Sequence, residues 1–175
     1  MTVSVLRNLE MRTRDGVALR SDVWRPAGSG PFPVLLMRTP YDTTQASTIN
    51  YAHPGWYAEQ GYLVVLQDVR GSWASAGDFE PFAHEQLDGH DAIEWAASLP
   101  GSNGRLGMYG GSYGGATQLL AARGAPAALQ AIAPGVTAAQ YYDGWAYQEG
   151  AFALAVNASW ASDLAADQAR RAAAA

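Results

Sequence analysis

The chain has 175 residues, one domain's worth, long enough to bury about two thirds of the surface its unfolded form exposes. Its composition is ordinary for a globular protein, 49% hydrophobic and 15% charged, and its net charge of −5 disfavours nucleic acid or an anionic membrane as partner. The absence of cysteine excludes a disulfide framework, a zinc finger and a thiol nucleophile. No cofactor or metal is expected.

Residues 3 to 11 alternate, with Val3, Val5, Leu9 and Met11 expected on one face. Val17, Leu19 and Val23 repeat the pattern over residues 17 to 24. Asp15-Gly16 between the two runs is a hairpin signal, so the chain should open with an antiparallel pair. After a turn-rich connector from Pro26 to Pro33, Val34-Leu35-Leu36-Met37 and Leu63-Val64-Val65-Leu66 are unbroken apolar runs. Strands of a parallel sheet covered by helices on both faces read this way. A short helix over Pro54 to Gln60, ended by Gly61, should separate them.

Residues 69 to 84 read as a polar loop, which an ion pair of Asp68 and Arg70 is expected to hold. Glu85 to Ser98 follows as a helix with Gly89, Ala92, Ile93, Ala96 and Leu99 as its apolar stripe. Residues 129 to 133 suggest a further short buried strand, and from Thr137 onward the pattern reads as helical and rich in aromatics. The sum is a mixed, mainly parallel three-layer α/β sheet, whose ligands bind at the carboxyl ends of the strands. With neither a basic-then-apolar leader nor a run of about 18 apolar residues, a cytoplasmic location is expected.

One stretch carries chemistry. Gly110-Gly111-Ser112-Tyr113-Gly114 reads G-x-S-x-G, entered by the apolar run Leu106 to Tyr109 and left by the helical stretch Ala116 to Ala122. Strand, sharp turn and helix make the context of a nucleophile elbow, which makes Ser112 a candidate hydrolase nucleophile. The alternative is a glycine-rich turn whose serine caps the helix. A dinucleotide loop is disfavoured, because the stretch contains no G-x-G-x-x-G.

Three blocks occur in order: Arg38-Thr39-Pro40-Tyr41-Asp42; Gln67-Asp68-Val69-Arg70-Gly71 with Ser75-Ala76-Gly77-Asp78-Phe79; and Gly107 to Gly115. Together they resemble the CocE/NonD hydrolases, the group of cocaine esterase, α-amino-acid ester hydrolases and Xaa-Pro dipeptidyl-peptidases. The resemblance implies an α/β-hydrolase fold, here incomplete, with residues 1–136 as its N-terminal part and 137–175 as the start of a helical cap. It implies an acyl-enzyme on Ser112. The Tyr41 phenol and the Tyr113 backbone N–H would donate to the oxyanion, and substrates would be small esters, amides or short peptides. The alternative for Tyr41 is a surface ring whose hydroxyl meets water. Trp145 and Phe152 would either line the acyl pocket or pack as a helix core.

A serine nucleophile needs a base and an orienting acid, in α/β hydrolases in the chain order Ser, Asp or Glu, His. His53, His84 and His90 all precede Ser112. Asp143, Asp163 and Asp167 follow it, but in the cap-like segment. The resemblance puts the triad acid and histidine further on, so this chain is expected to be an N-terminal fragment, inactive alone. The competing class is a degenerate hydrolase that serves as a non-catalytic binding module.

Overall fold

The structure is a computed structural model that describes residues 2–45 and 51–174. It divides into two compact units, Met1–Val136 and Thr137–Ala175.

The first unit is built on a six-stranded sheet. Its strands are β1 (Ser4–Arg12), β2 (Ala18–Arg25), β3 (Phe32–Thr39), β4 (Leu63–Asp68), β5 (Ser102–Gly111) and β6 (Leu129–Gly135), in the order β1-β2-β4-β3-β5-β6. The pairs β1·β2 and β2·β4 are antiparallel, whereas β4, β3, β5 and β6 run parallel. Helix α1 (Pro54–Glu59) follows β3, α2 (Glu85–Ala97) follows β4, and α3 (Tyr113–Ala122) follows β5.

Alternation of side chains along the strands splits the core into two clusters. Leu36, Leu63, Val65, Leu106 and Met108 pack with Ala92, Ile93 and Ala96 of α2 and Ala121 of α3. Leu66, Val64, Met37 and Tyr109 pack with Ala58 of α1. Helices therefore cover both faces, which is why β4 is buried along its whole length.

Three local expectations are corrected. Val3 and Val5 do not share a face with Leu9 and Met11, because the register slips between Leu6 and Leu9, where Asn8 has φ 56°. An extra residue at such a bulge inverts the alternation. Val3 consequently packs beside Trp24 in the second cluster, Leu9 and Met11 belong to the first, and Val5 is exposed. The 129–133 run does form a strand, but β6 is the last in the sheet and mostly exposed. Lastly, the segment after Thr137 is not helical until Leu154.

That segment belongs to the second unit. It holds a small hairpin of β7 (Tyr147–Gln148) and β8 (Ala151–Phe152), then helix α4 (Leu154–Ala174). Glu149 and Gly150 have φ 50° and 83°, the two left-handed residues that a tight hairpin turn demands. Its aromatics pack on one another: Trp145 lies 5.4 Å from Tyr141 and 5.8 Å from Trp160, and Tyr147 stacks on Tyr142 at 4.5 Å between ring centroids. Phe152 lies 5.3 Å from Tyr147 and stays half exposed. No helix among the described residues is long and apolar enough to cross a membrane.

Helices α2 and α3 approach closely at Gly89, where a Cβ would stand 2.6 Å from Cβ of Ala121. Gly89→Ala should therefore lower stability by about 1–3 kcal/mol, outweighing the gain of about 1 kcal/mol in helix propensity. Urea unfolding of the two proteins checks this, and an unchanged or raised midpoint would show that the helices can separate at little cost.

Candidate active site

Ser112 joins the end of β5 to the start of α3 with φ 54° and ψ −122°, left-handed for a residue with a Cβ. Such a conformation costs about 1–3 kcal/mol and persists only where the surroundings over-determine it. Here both adjoining peptide groups are tied. The Ser112 N–H donates to the Gly135 carbonyl on β6 at 2.9 Å, and the Ser112 carbonyl accepts from the N–H groups of Gly115 and Ala116 at 2.9 and 3.1 Å. The close approaches are at Gly110 and Gly111. A Cβ at Gly110, whose φ is 140°, would lie 3.1 Å from the Gly114 carbonyl oxygen, and one at Gly111 would lie 2.1 Å from the Tyr51 phenol oxygen. At Gly114 a Cβ would make only an ordinary 3.4 Å contact with the Arg38 carbonyl. The Ser112 side chain makes no capping hydrogen bond and the residue is exposed, which removes the helix-cap alternative.

Tyr113, next along, is fully buried. Its hydroxyl donates to Glu85 Oε1 at 2.9 Å and accepts from the Phe82 N–H at 2.9 Å, and its ring stacks on Phe82. Burial, with the Glu85 charge beside it, pushes the phenol far up, so it keeps its proton and serves as donor. The other Glu85 oxygen receives a hydrogen bond from Arg38 Nη1 at 2.5 Å. Arg38 Nε donates to Gln67 at 2.8 Å, and Gln67 in turn donates to the Ser21 hydroxyl at 3.2 Å. One chain of polar contacts thus links β2, β4, β3, α2 and α3.

The register Leu36↔Met108 between β3 and β5, continued along both strands, sets Thr39 level with Gly111. Tyr41 and Ser112 therefore leave neighbouring strands at the same edge of the sheet. The segment bearing Tyr41 is pinned along its length. The Tyr41 N–H donates to the Thr39 hydroxyl at 3.1 Å, Trp73 Nε1 donates to the Pro40 carbonyl at 2.9 Å, and the Thr43 N–H donates to Asp68 Oδ1 at 3.0 Å. Tyr41 itself is half-buried.

The expected Asp68–Arg70 pair does not form. Arg70 binds Asp88 and Asp15 instead, at 2.6 and 2.9 Å, fastening the loop after β4 to α2 and the first hairpin. Asp68 accepts from the backbone N–H groups of Thr43 and Ala74. Each residue meets the partner its place allows: Asp68 ends β4 and reaches across to the loop after β3, while Arg70 already lies beyond the sheet.

The histidines are scattered. His90 lies beside Gly124, past the C-terminal end of α3 whose N-terminus carries Ser112: a Cβ at Gly124 would stand 3.2 Å from its ring, and its Nδ1 is 3.3 Å from Arg14. The ten residues of α3 span about 15 Å, too far for His90 to be the base. His53 accepts from the Gly55 N–H at the start of α1, and His84 lies 4.0 Å from Glu80. Of the aspartates after Ser112, Asp167 pairs with Arg170 at 2.5 Å. A cavity of about 260 Å³ between Arg7, Asp22, Trp24 and His53 is lined by neither Tyr41 nor Ser112.

A mainly parallel sheet with an antiparallel opening, helices on both faces and a serine at a strained strand-to-helix bend together define an α/β hydrolase. Comparison with known proteins narrows the class. Residues 15–175 match the X-Pro dipeptidyl-peptidase (S15 family), and the chain belongs to that family of hydrolases. It is 37% identical over 162 residues to the cocaine esterase of Rhodococcus sp. (strain MB1 Bresler), covering 91% of this chain and 28% of that protein. Among solved structures, a CocE/NonD family hydrolase from Staphylococcus aureus superposes with a TM-score of 0.90 at 25% identity, covering 98% of this chain and 34% of its own. An α-amino acid ester hydrolase gives a TM-score of 0.71 at 30% identity, over 86% and 28% of the two chains. The chain thus spans about a third or less of the length of these relatives.

Sequence reasoning passed over Glu85. A signal was present, because Glu85 and Asp88 continue the stripe of Gly89, Ala92, Ile93 and Ala96 at helical spacing, so both acids had to face the core. Buried carboxylates require partners, and Arg38 and Arg70 are those partners.

Asp68, buried and without a cationic partner among the described residues, has its carboxyl pushed up to about 7 by desolvation. A folded-state pKa above the unfolded value of about 3.9 means the folded state holds this proton more tightly. The resulting stability is fully present below about pH 4 and is lost as pH rises through about 7. Asp68→Asn, which keeps the acceptor for Thr43, should flatten the decline of unfolding free energy between those limits. Parallel curves for the two proteins would contradict the assignment.

Proposed function

We propose that Ser112 is the nucleophile of a serine hydrolase that cleaves ester or amide bonds, Xaa-Pro peptide bonds among them, through an acyl-enzyme. One observation carries the reading: an exposed serine, held left-handed by hydrogen bonds on both sides and not engaged in capping, at the carboxyl edge of a hydrolase sheet. Membership of a hydrolase family supports it.

In the reaction, Oγ of Ser112 attacks the scissile carbonyl and its proton passes to a base. The negative charge that collects on the former carbonyl oxygen is met by two donors, the Tyr113 N–H at the start of α3 and the phenol of Tyr41. Helix geometry favours the first, since the N–H groups of an opening turn point outward along the axis and its dipole attracts anions. The pinned loop favours the second, because a donor held in place before the reaction costs no reorganisation when charge develops. Collapse of the tetrahedral intermediate breaks the scissile bond, and the base gives its proton to the departing alcohol or amine. Water then attacks the acyl-enzyme, one of its protons passing through the base to Oγ of Ser112 as the acid leaves.

The base and its orienting acid are assigned to residues beyond Ala175 in a longer protein, of which residues 1–136 form the N-terminal part of the catalytic domain and 137–175 begin a cap. His90 is too distant, and among the described residues His53 bonds to the Gly55 N–H and His84 lies by Glu80, neither of them part of the elbow. The small partners this mechanism takes are esters, amides or short peptides.

Three results are expected. The 175-residue chain alone should turn over an activated ester negligibly; steady hydrolysis that vanishes in Ser112→Ala would instead promote an upstream histidine to base. The full-length protein should take up a fluorophosphonate on Ser112, mapped by peptide mass spectrometry, and Tyr41→Phe should lower its kcat by tens- to a thousandfold. An unchanged kcat would remove Tyr41 from the oxyanion site, and an unlabelled Ser112 would favour the non-catalytic binding module.

A further inference from the structure

We infer that Glu85 is a positioning residue for the oxyanion donors, holding the elbow through the Tyr113 phenol and the Tyr41 strand through Arg38. The inference rests on the reading of Ser112 as nucleophile.

Glu85 is 3% exposed and uses both oxygens: one on the Tyr113 hydroxyl at 2.9 Å, the other on the Arg38 guanidinium at 2.5 Å. Tyr113 follows the nucleophile directly, so the orientation of its N–H depends on where its side chain is anchored. Arg38 lies in β3 three residues before Tyr41, and its carbonyl oxygen also receives the Thr117 hydroxyl of α3 at 3.5 Å. A single carboxylate therefore ties the element that presents one donor to the element that presents the other.

The bond to Tyr113 is not required for packing. Its ring is held by Phe82, at 4.7 Å and nearly parallel, and by Phe79 at 6.0 Å. What the hydroxyl adds is direction. Glu85 fixes the ring's tip to α2, and the Phe82 N–H fixes it a second time at 2.9 Å. With the tip held at two points, rotation about the side chain cannot carry the Tyr113 backbone away from the bend. Arg38 has no exposure and sets its guanidinium directly against the Glu85 carboxylate in the core.

The test uses the full-length protein and three variants: Tyr113→Phe, Glu85→Gln and the double substitution. It measures kcat, KM, melting temperature and affinity for a phenylboronic acid, whose adduct with serine sets an oxygen where the oxyanion forms. Positioning predicts that Tyr113→Phe lowers kcat about 10- to 100-fold, changes KM less than threefold, and weakens the boronate in proportion to kcat. The double variant should be no slower than the slower single variant, because the Tyr113–Glu85 bond that Tyr113→Phe removes is one of the two contacts that Glu85→Gln disturbs.

A melting temperature that falls while kcat and boronate affinity stay within twofold of wild type would make the network a packing strut and overturn the inference. Should Glu85→Gln fail to fold, Tyr113→Phe, which keeps the ring and its stacking, decides alone. Wild-type protein that forms an adduct on Ser112 while Tyr113→Phe keeps full kcat sinks only this inference; wild-type protein that forms no such adduct sinks the nucleophile reading as well.

Discussion

A non-glycine residue in left-handed backbone is unstable on its own, and the elbow exists because neighbouring strands leave Ser112 no alternative. The N–H of Ser112 is committed to Gly135 and its carbonyl to the first turn of α3, while Gly110 and Gly111 lack the side chains that would jam the bend. Pairing of β5 with β6 matters here more than its modest burial suggests, since β6 supplies the carbonyl that receives the Ser112 N–H. The exposed edge strand β6 is therefore joined by a hydrogen bond to the left-handed Ser112.

Beneath the elbow runs the second constraint, a buried chain of charge and hydrogen bonds through Ser21, Gln67, Arg38, Glu85 and Tyr113. Removing one partner of a buried pair such as Arg38–Glu85 costs about 3–5 kcal/mol, because the other charge is left uncompensated. An apolar set of similar volume could stabilise the core equally well. The polar set adds direction, since hydrogen bonds fix orientation where dispersion does not. Arg70 does the same one layer out, with Asp88 on α2 and Asp15 on the hairpin, so two arginines clamp α2 to the sheet edge.

Much of this was readable in the sequence, for identifiable reasons. Unbroken apolar runs at 34–37 and 63–66 could only be strands covered on both faces, and Asp15-Gly16 could hardly be other than a turn. The bend at Ser112 announced itself through its glycines and flanking elements. What failed depended on information that is not local. The slip near Asn8 inverts a strand's faces without altering its composition. The segment after Thr137 reads as helical because its aromatics suit helix and hairpin alike, and the turn at Glu149-Gly150 that decides between them is only two residues long. Asp68 and Arg70 are neighbours in sequence but belong to different polar clusters, because one ends a strand and the other has left it. Arg38 inside a buried strand and Glu85 on a buried stripe were each visible as anomalies; that they satisfy one another is a property of the fold.

In the proposed reaction one oxygen, bound where the oxyanion would form, meets two donors from different elements, the loop after β3 and the start of α3. A crystal structure of the full-length protein with a boronic acid attached to Ser112 tests it directly. The account predicts a boronate oxygen within about 3.2 Å of both the Tyr41 hydroxyl and the Tyr113 nitrogen. A boronate oxygen turned away from both, or a boronic acid seated anywhere other than on Ser112, would contradict it.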